Sequence, residues 1–427
     1  MTVLISSISK VLQRHTNGGG TQRQSKSAMV LESIKNHRND MGTIDDMKNS
    51  KDEINERILM RSKALQRRIE VIEKKLEKPL TGFKKKIADF AYPKTERDAK
   101  KIDEEAAIRS KDIFPDYFPE TLEMMLRQLL NDPESYIKKV EAYEKHCPFP
   151  EIDFITSTKE FKTSTKDPMR KMEEACVERA LLGLLTREPI LKNDGAIFLD
   201  LGSGIGRIAR LVEHILKDIF KEKKTRITIY GIDLLTLNIE GAQEVSKKLD
   251  SRILFDEGDI NCLKFGADSI SFLTSVATTY LNTKHRRALE LAEMARVLNI
   301  NGISCMVYPN DKFSCREYAY IMLRTAFDRY FNPFNISSMR KFGSRFFYTE
   351  KLGKSRPDMR LPKDREMENA IRNSLHANII DYCSFPKRGG PDVMSSYTFS
   401  ITKETKTVLR KYIEFREEQL KLDNDKN

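Results

Sequence analysis

The chain has no tryptophan, and its six histidines and six cysteines are thinly spread over 427 residues. The cysteines, at 147, 176, 262, 305, 315 and 383, form no CxxC pair and no dense framework, which argues against a disulfide scaffold and a zinc module. With the histidines equally scattered, no metal site is expected. Nowhere do about 18 apolar residues run uninterrupted, so neither a membrane-spanning helix nor a membrane partner is expected. Reduced thiols and the absence of a span fit a cytoplasmic protein.

What the chain has is enough apolar material, 39% of residues, for a sizeable core and more length than one ordinary domain needs. Residues 1–50 are rich in Ser, Asn, Gly and Gln, include Asn17-Gly-Gly-Gly20 and lack periodicity, so they read as a disordered polar tail. Lys10, Arg14, Arg23 and Lys26 precede the first acid, Glu32. That pattern occurs in organelle transit peptides as well as in plain tails; the tail is the reading adopted. From Lys51 to Lys78 a charged helical pattern carries a narrow apolar stripe of Ile54, Ile58, Leu59, Leu65, Ile69, Ile72 and Leu76. Such a stripe suits pairing with another helix in an oligomer, or packing of a single helix on the core. Residues 51–165 as a whole read as a charged helical extension, with a helix over Phe118 to Asn131 and breaks at Pro115, Pro119, Pro133, Pro148 and Pro150. A charged helix or tail is expected over 411–427.

The most informative stretch is Ala196-Ile-Phe-Leu-Asp-Leu-Gly-Ser-Gly-Ile-Gly-Arg207. Its apolar first half is too short for a surface helix and reads as a buried strand, while Arg207 onward has helical spacing. Strand, glycine loop and helix in that order make a ligand cradle. Gly202, Gly204 and Gly206 allow positive φ and let a ligand lie against the backbone at the open end of the helix. The dinucleotide fingerprint wants Gly or Ala at the sixth position of the loop, and Arg207 stands there instead. Asp200, two residues before the first glycine, would repel a pyrophosphate but attract an ammonium group.

Further strand candidates alternate with helices. Arg226-Ile-Thr-Ile-Tyr-Gly-Ile-Asp233 ends in an acid that can accept hydrogen bonds from both hydroxyls of a ribose or cap the following helix, and Leu234 beside it can cover one face of an adenine. Ser251 to Ile260 ends in Gly-Asp259-Ile260, Ser269 to Ser275 is the fourth candidate, and Asn299 to Tyr308 is the fifth. Segments 377–385 and 395–402 can supply two more. Five strands alternating with helices make a doubly wound α/β sheet, which binds ligands beyond the carboxyl ends of its strands. Asp200, Asp233 and Asp259 all fall at such ends.

Asp200-Leu-Gly-Ser-Gly-Ile-Gly206 resembles the first motif of class I, Rossmann-like S-adenosylmethionine (SAM)-dependent methyltransferases, and Arg296 to Gly302 looks like that family's turn into strand five. The resemblance spans residues 168 to 310. It implies a mostly parallel seven-stranded sheet over 166–410 with one antiparallel strand, and S-adenosyl-L-methionine as cofactor. It implies a cofactor site of Asp200, Gly202, Ser203, Gly204 and Gly206 from the first strand and loop, Asp233 and Leu234 from the second, Asp259 and Ile260 after the third, and Ser275 in the fourth. After the fourth strand Ser275-Val-Ala-Thr-Thr-Tyr280 lacks the Asn-Pro-Pro-Tyr type sequence of many amino-methylating enzymes, and there is no Pro-Cys nucleophile of the cytosine-C5 type. Tyr280, His285, Tyr308 and Asp311 fall near the expected rim, and none is assigned as a catalytic base.

The net charge of +12 is unevenly spread: +9 over 1–100, −5 over 101–190, +1 over 191–310 and +7 over 311–427. A basic insertion at 332–365, with Arg340-Lys-Phe-Gly-Ser-Arg-Phe-Phe-Tyr348 interleaving cations and aromatics, suits phosphates and unpaired bases, or a solvated loop with its rings tucked inward. Segments 340–365 and 51–100 are therefore candidate contacts for a nucleic acid or an acidic protein. The methyl acceptor itself is not written in the sequence. The expected activity is methyl transfer to an O or N nucleophile, with RNA or protein favoured as acceptor; the alternatives are a non-catalytic SAM-binding interaction protein and an enzyme of small-metabolite methylation.

Overall fold

The computed structural model describes residues 44–77, 121–146, 168–187, 195–220, 227–279, 282–310, 361–385 and 394–426. The chain divides into two units, Met1–Glu56 and Arg57–Asn427, and the sheet belongs to the second. Seven strands form it: β1 (Ile197–Leu201), β2 (Thr228–Asp233), β3 (Leu254–Glu257), β4 (Ile270–Val276), β5 (Leu298–Pro309), β6 (Asn378–Phe385) and β7 (Met394–Ser400). Their order is β3-β2-β1-β4-β5-β7-β6. The first five run parallel, and β7 is antiparallel to both of its neighbours. The order reverses between β1 and β4, which opens a crevice at the carboxyl ends of those two strands.

The burial pattern follows position in the sheet. Every residue of β4, in the middle, is buried, as a strand covered on both faces requires. At one edge β3 buries only Phe255, and the strand is shorter than the sequence suggests because Gly258 and Asp259 already turn away.

Helices cover both faces: α1 (Ile44–Glu77), α2 (Leu122–Asn131), α3 (Pro133–His146), α4 (Pro168–Leu185), α5 (Arg207–Phe220), α6 (Thr236–Lys248), α7 (Lys284–Val297), α8 (Asp364–Asn369), α9 (Lys403–Val408) and α10 (Arg410–Lys426). In α5 the apolar residues Ile208, Val212, Ile215, Leu216 and Ile219 recur at helical spacing and are all buried, so this helix docks on the sheet by one stripe. Helix α7 is buried almost throughout. Its Ala288, Leu291, Ala292 and Ala295 share one apolar core with Leu122, Met125, Leu126 and Leu129 of α2 and with Leu273, Met306 and Tyr397 of the sheet. The expected extension and the expected methyltransferase domain thus meet in a common core at α2.

Helix α1 begins at Ile44, ahead of the composition change at Lys51. In the second unit its Ile58, Leu65, Ile69 and Ile72 are buried, whereas Leu59, counted in the stripe by sequence, is 53% exposed. One residue is a rotation of about 100° on a helix, which carries Leu59 off the docked face. The docking is also polar. Arg57 donates to the Ile219 carbonyl at 2.9 Å, and Arg61 and Arg68 both reach the buried carboxylate of Glu178 on α4. Residues 1–43 of the expected tail, residues 78–100 of segment 51–100, and the basic insertion at 332–365 up to residue 360 lie outside the described residues, while 44–50 of the expected tail form the start of α1.

Candidate functional site: the glycine loop at the carboxyl edge of the sheet

Between β1 and α5 the chain turns through Gly202, Gly204 and Gly206 with φ of 62°, 53° and 82°. All three lie in the left-handed region, where a Cβ costs energy, so the glycines are required by backbone geometry before any ligand is considered. Packing adds a second requirement at two of them. A Cβ on Gly202 would stand 2.2 Å from Thr278 Oγ1, and one on Gly206 would stand 2.4 Å from the Phe255 ring. The loop is pressed between the segment after β4 and the edge strand β3.

Asp233, at the end of β2, fastens this loop. Its Oδ2 accepts the Gly204 amide at 2.8 Å, and its Oδ1 accepts the Leu235 amide and Asn238 Nδ2, both at 3.0 Å. The same carboxylate therefore shapes the glycine loop and satisfies the first turn of α6. Both lone pairs of Oδ1 are taken, while Oδ2 accepts one bond and keeps room for one donor from a ligand. Leu234 beside it is 59% exposed, an apolar side chain held at the mouth of the crevice.

Asp200 sits deeper than its sequence position suggests. Its Oδ1 accepts Thr274 Oγ at 2.7 Å, its Oδ2 accepts the Ala209 amide at 3.2 Å, and the residue is buried. Burial raises its pKa to about 7, against the pull of Thr274, Arg207 and the Ala209 amide. Asp200 has an internal role in this structure: it ties β1 to β4 and to the first turn of α5. Ser275 is likewise internal, fully buried with its Oγ 3.1 Å from both Thr279 Oγ1 and Glu290 Oε1.

Asp259 and Ile260 follow β3. Asp259 Oδ1 accepts the Asn261 amide and Asn261 Nδ2 at 2.9 Å each, and its Oδ2 lies 3.6 Å from the Arg286 guanidinium. Ile260 is buried. Arg286 in turn forms a forked pair with Glu144 at the end of α3. Despite partial burial, which raises it, the Glu144 carboxyl is held down at about 2 by Arg286 and His285.

Two buried polar atoms of this region have no partner among the described residues: Ser203 Oγ, inside the glycine loop, and Asn261 Oδ1, two residues after Asp259. Orphaned buried groups are rare in folded proteins, and these two flank the path a nucleoside would take across β1, β2 and β3. The remaining rim candidates do different work. His285 is buried edge-on to Tyr143 at 4.7 Å and shares a 2.9 Å contact with Thr283, and Tyr308 is buried with its hydroxyl 3.4 Å from Asp364. Burial pushes the Tyr308 phenol far up, so it does not ionise near neutral pH. Tyr280 and Asp311 lie outside the described residues.

Sequence reasoning missed Thr274, Thr278, Asn238 and Glu290. Only Glu290 left a signal. It stands in α7 among Arg287, Glu293 and Arg296, charges that repeat three apart and are separated from one another only by Ala, Leu and Met.

Residues 192–341 match the family described as a methyltransferase domain. No curated protein matches the chain. Among solved structures, a protein of Pyrococcus horikoshii OT3 is 14% identical over 61% of this chain and 99% of its own, with a TM-score of 0.36. A SAM-dependent methyltransferase from Aquifex aeolicus is 14% identical over 58% of this chain and 100% of its own, with a TM-score of 0.33. The DszA carbon methyltransferase is 12% identical, with a TM-score of 0.37; 54% of this chain aligns to it and spans 54% of its length. Residues 192–341 thus match a methyltransferase domain, and the mostly parallel seven-stranded sheet in this strand order is the class I, Rossmann-like methyltransferase fold.

Proposed function

We propose that the protein transfers a methyl group from S-adenosylmethionine to an oxygen or nitrogen nucleophile, with a macromolecule, RNA or protein, as the acceptor. The carrying observation is the glycine loop at the reversal of strand order, with the unpartnered Ser203 Oγ inside it and Asp233 fastened to Gly204 at its side. Gly202, Ser203, Gly204 and Gly206 would hold the amino-acid end of the cofactor, Asp233 its ribose, and Leu234, Asp259 and Ile260 its adenine. When bound, the sulfonium supplies an already activated methyl group. The protein then needs chiefly to orient the acceptor and exclude water. Acceptor recognition is assigned to the basic segments 340–365 and 51–100, whose charge suits a polyanion or an acidic surface.

Isothermal titration with SAM tests the first half of this reading. Wild-type protein is expected to bind, and Gly204→Val, which forces a branched side chain to a φ of 53°, is expected not to. Equal binding by both would remove the loop from the site. Incubation with methyl-labelled SAM and a cell extract, followed by separation into protein, RNA and small-molecule fractions, tests the second half. Tight binding without label in any fraction would support a non-catalytic SAM-binding protein, a reading favoured by the burial of Ser275, Thr279 and Glu290 around the end of β4. Label confined to the small-molecule fraction would assign a metabolite as acceptor.

A further inference from the structure

The segment after β4 faces the glycine loop, and one side chain governs it. Glu290, on the second turn of α7, is buried with no exposed surface. Its Oε1 accepts Thr279 Oγ1 at 2.7 Å and Ser275 Oγ at 3.1 Å, and its Oε2 accepts Asn282 Nδ2 at 2.8 Å. Arg287, next on the helix and also buried, donates Nε to the Thr279 carbonyl at 3.1 Å. Burial raises the Glu290 pKa, and its three donors and Arg287 work against that rise. One carboxylate thus gathers three side chains that come from the strand and from both ends of the segment behind it.

The segment held in this way carries Thr278, whose side chain fills the space above Gly202. Thr278 Oγ1 lies 3.3 Å from the carbonyls of Leu201 and Val276, and Ala277 before it has a φ of 57°. A non-glycine residue in the left-handed region persists only where its surroundings hold it there. Thr278 therefore bridges the ends of β1 and β4, the two strands that frame the crevice. On the SAM-binding reading, the segment would stand between the cofactor and an acceptor approaching from β4 and β5.

We infer that Glu290 is a positioning residue for methyl transfer: through Ser275, Thr279 and Asn282 it sets the segment that presses Thr278 onto Gly202, and so it fixes the shape of the glycine loop. The inference rests on the SAM-binding reading for its functional consequence, but its structural half stands alone. Without the carboxylate, three buried donors lose their acceptor together and the segment has no reason to keep its course. The glycine loop then loses the lid over its first glycine.

The test compares Glu290→Ala and Glu290→Gln with Leu129→Ala, a core variant on α2 that lowers stability without touching the segment. Hydrogen exchange is followed at the amides of 276–279 and 202–204, and SAM affinity by titration well below each variant's melting temperature. Glu290→Ala is expected to lose protection at both sets of amides and to bind SAM roughly tenfold or more weakly, the scale on which remote misplacement acts. Glu290→Gln keeps an oxygen for Thr279 and Ser275, and a turned Asn282 amide can face its NH2, so it is expected near wild type in both. Leu129→Ala is expected to leave both unchanged despite a lower melting temperature. Wild-type exchange at 202–204 in Glu290→Ala would overturn the inference, and so would a Leu129→Ala profile matching that of Glu290→Ala. Should Glu290→Ala fail to fold, Thr279→Val, which removes the shortest of the three bonds at constant volume, takes its place with the same expectations. If wild type itself binds no SAM, the functional reading falls while the exchange data still decide the role of Glu290.

Discussion

Asp233 Oδ2 accepts the backbone amide of Gly204 at 2.8 Å, across the gap between β2 and the glycine loop. The acid that the sequence marks as a ribose contact is thus also the clamp that gives the loop its shape. Replacement by alanine removes the acceptor of three donors, Gly204 N, Leu235 N and Asn238 Nδ2. Hydrogen bonds to a charged group contribute about 1.5–3 kcal/mol each, with strong non-additivity in a cluster. Asp233→Ala is therefore expected to destabilise the fold by about 2–4 kcal/mol and to abolish SAM binding. Urea denaturation and titration calorimetry check the two effects separately. Asp233→Asn supplies one acceptor oxygen and is expected to recover part of the stability but little affinity; full affinity in that variant would reassign the ribose contact.

Gly206 and Phe255 form a second coupled pair. A Cβ on Gly206 would stand 2.4 Å from the Phe255 ring, and the glycine φ of 82° is strained for any other residue. Gly206→Ala is expected to cost about 2–4 kcal/mol through both effects, while Phe255→Ala opens a gap at the sheet edge. In the double variant the clash with the ring is gone, while the backbone strain and the 2.7 Å approach to Arg210 Nη1 remain. The two losses are therefore expected to sum to about 1 kcal/mol or more above the measured total, which a double-mutant cycle by chemical denaturation reads directly. Strict additivity would show that Phe255 moves aside at no cost.

The fold was legible in the sequence to the extent that strands were marked by local pattern. The strand expected over Ala196 to Leu201 is buried from Phe198 onward and that expected over Asn299 to Tyr308 from Gly302 onward, and Asp200, Asp233 and Asp259 fall at or just after the carboxyl ends of β1, β2 and β3. What the sequence left unread was direction. Asp200 and Asp233 occupy equivalent strand ends, yet one carboxylate turns inward to Thr274 and Ala209 while the other turns to the loop. A strand alternates its side chains, but which neighbour meets each face depends on register with β4, and that is a long-range fact. Thr278 could not be found at all, because its role is to fill space left by a glycine 76 positions earlier. Leu59 shows the limit on helices: apolar composition placed it in the stripe, and the rotation of one residue removed it.

Asp200 gives the fold a pH dependence of defined sign. Its pKa of about 7 in the folded protein stands above the ordinary 3.8, so the folded state holds a proton that the unfolded state has lost across that interval. Stability rises with pH only where the unfolded state binds more protons; here the reverse holds, and the Asp200 contribution falls as pH rises from about 4 to about 7. Above that range it is level. Asp200→Asn removes the titration, so the unfolding free energy of wild type minus that of the variant is expected to fall with rising pH and to stop changing beyond about pH 8. Urea denaturation of both proteins at pH 5, 6, 7 and 8 measures it, with other groups cancelling in the difference. A constant difference would mean that Asp200 stays ionised throughout, held so by Thr274 and the Ala209 amide.

The docking of α1 rests on a buried acid. Glu178 is 1% exposed on α4, and among the described residues its carboxylate is reached by Arg61 at 2.7 Å and by Arg68. Removing the partners of a buried charge costs about 3–5 kcal/mol, whereas replacing the whole cluster by apolar residues is often neutral. Arg61→Ala with Arg68→Ala is therefore expected to destabilise the protein by about 3 kcal/mol, somewhat less than the full range because Arg68 is 43% exposed. Adding Glu178→Met to that pair is expected to restore most of the loss, since the orphaned charge is gone and an apolar side chain lies between α1 and α4. Melting temperatures of the double and triple variants settle the matter. If the triple variant is no more stable than the double, the arginines hold α1 through their aliphatic stems rather than through Glu178, and the helix is fastened by packing alone.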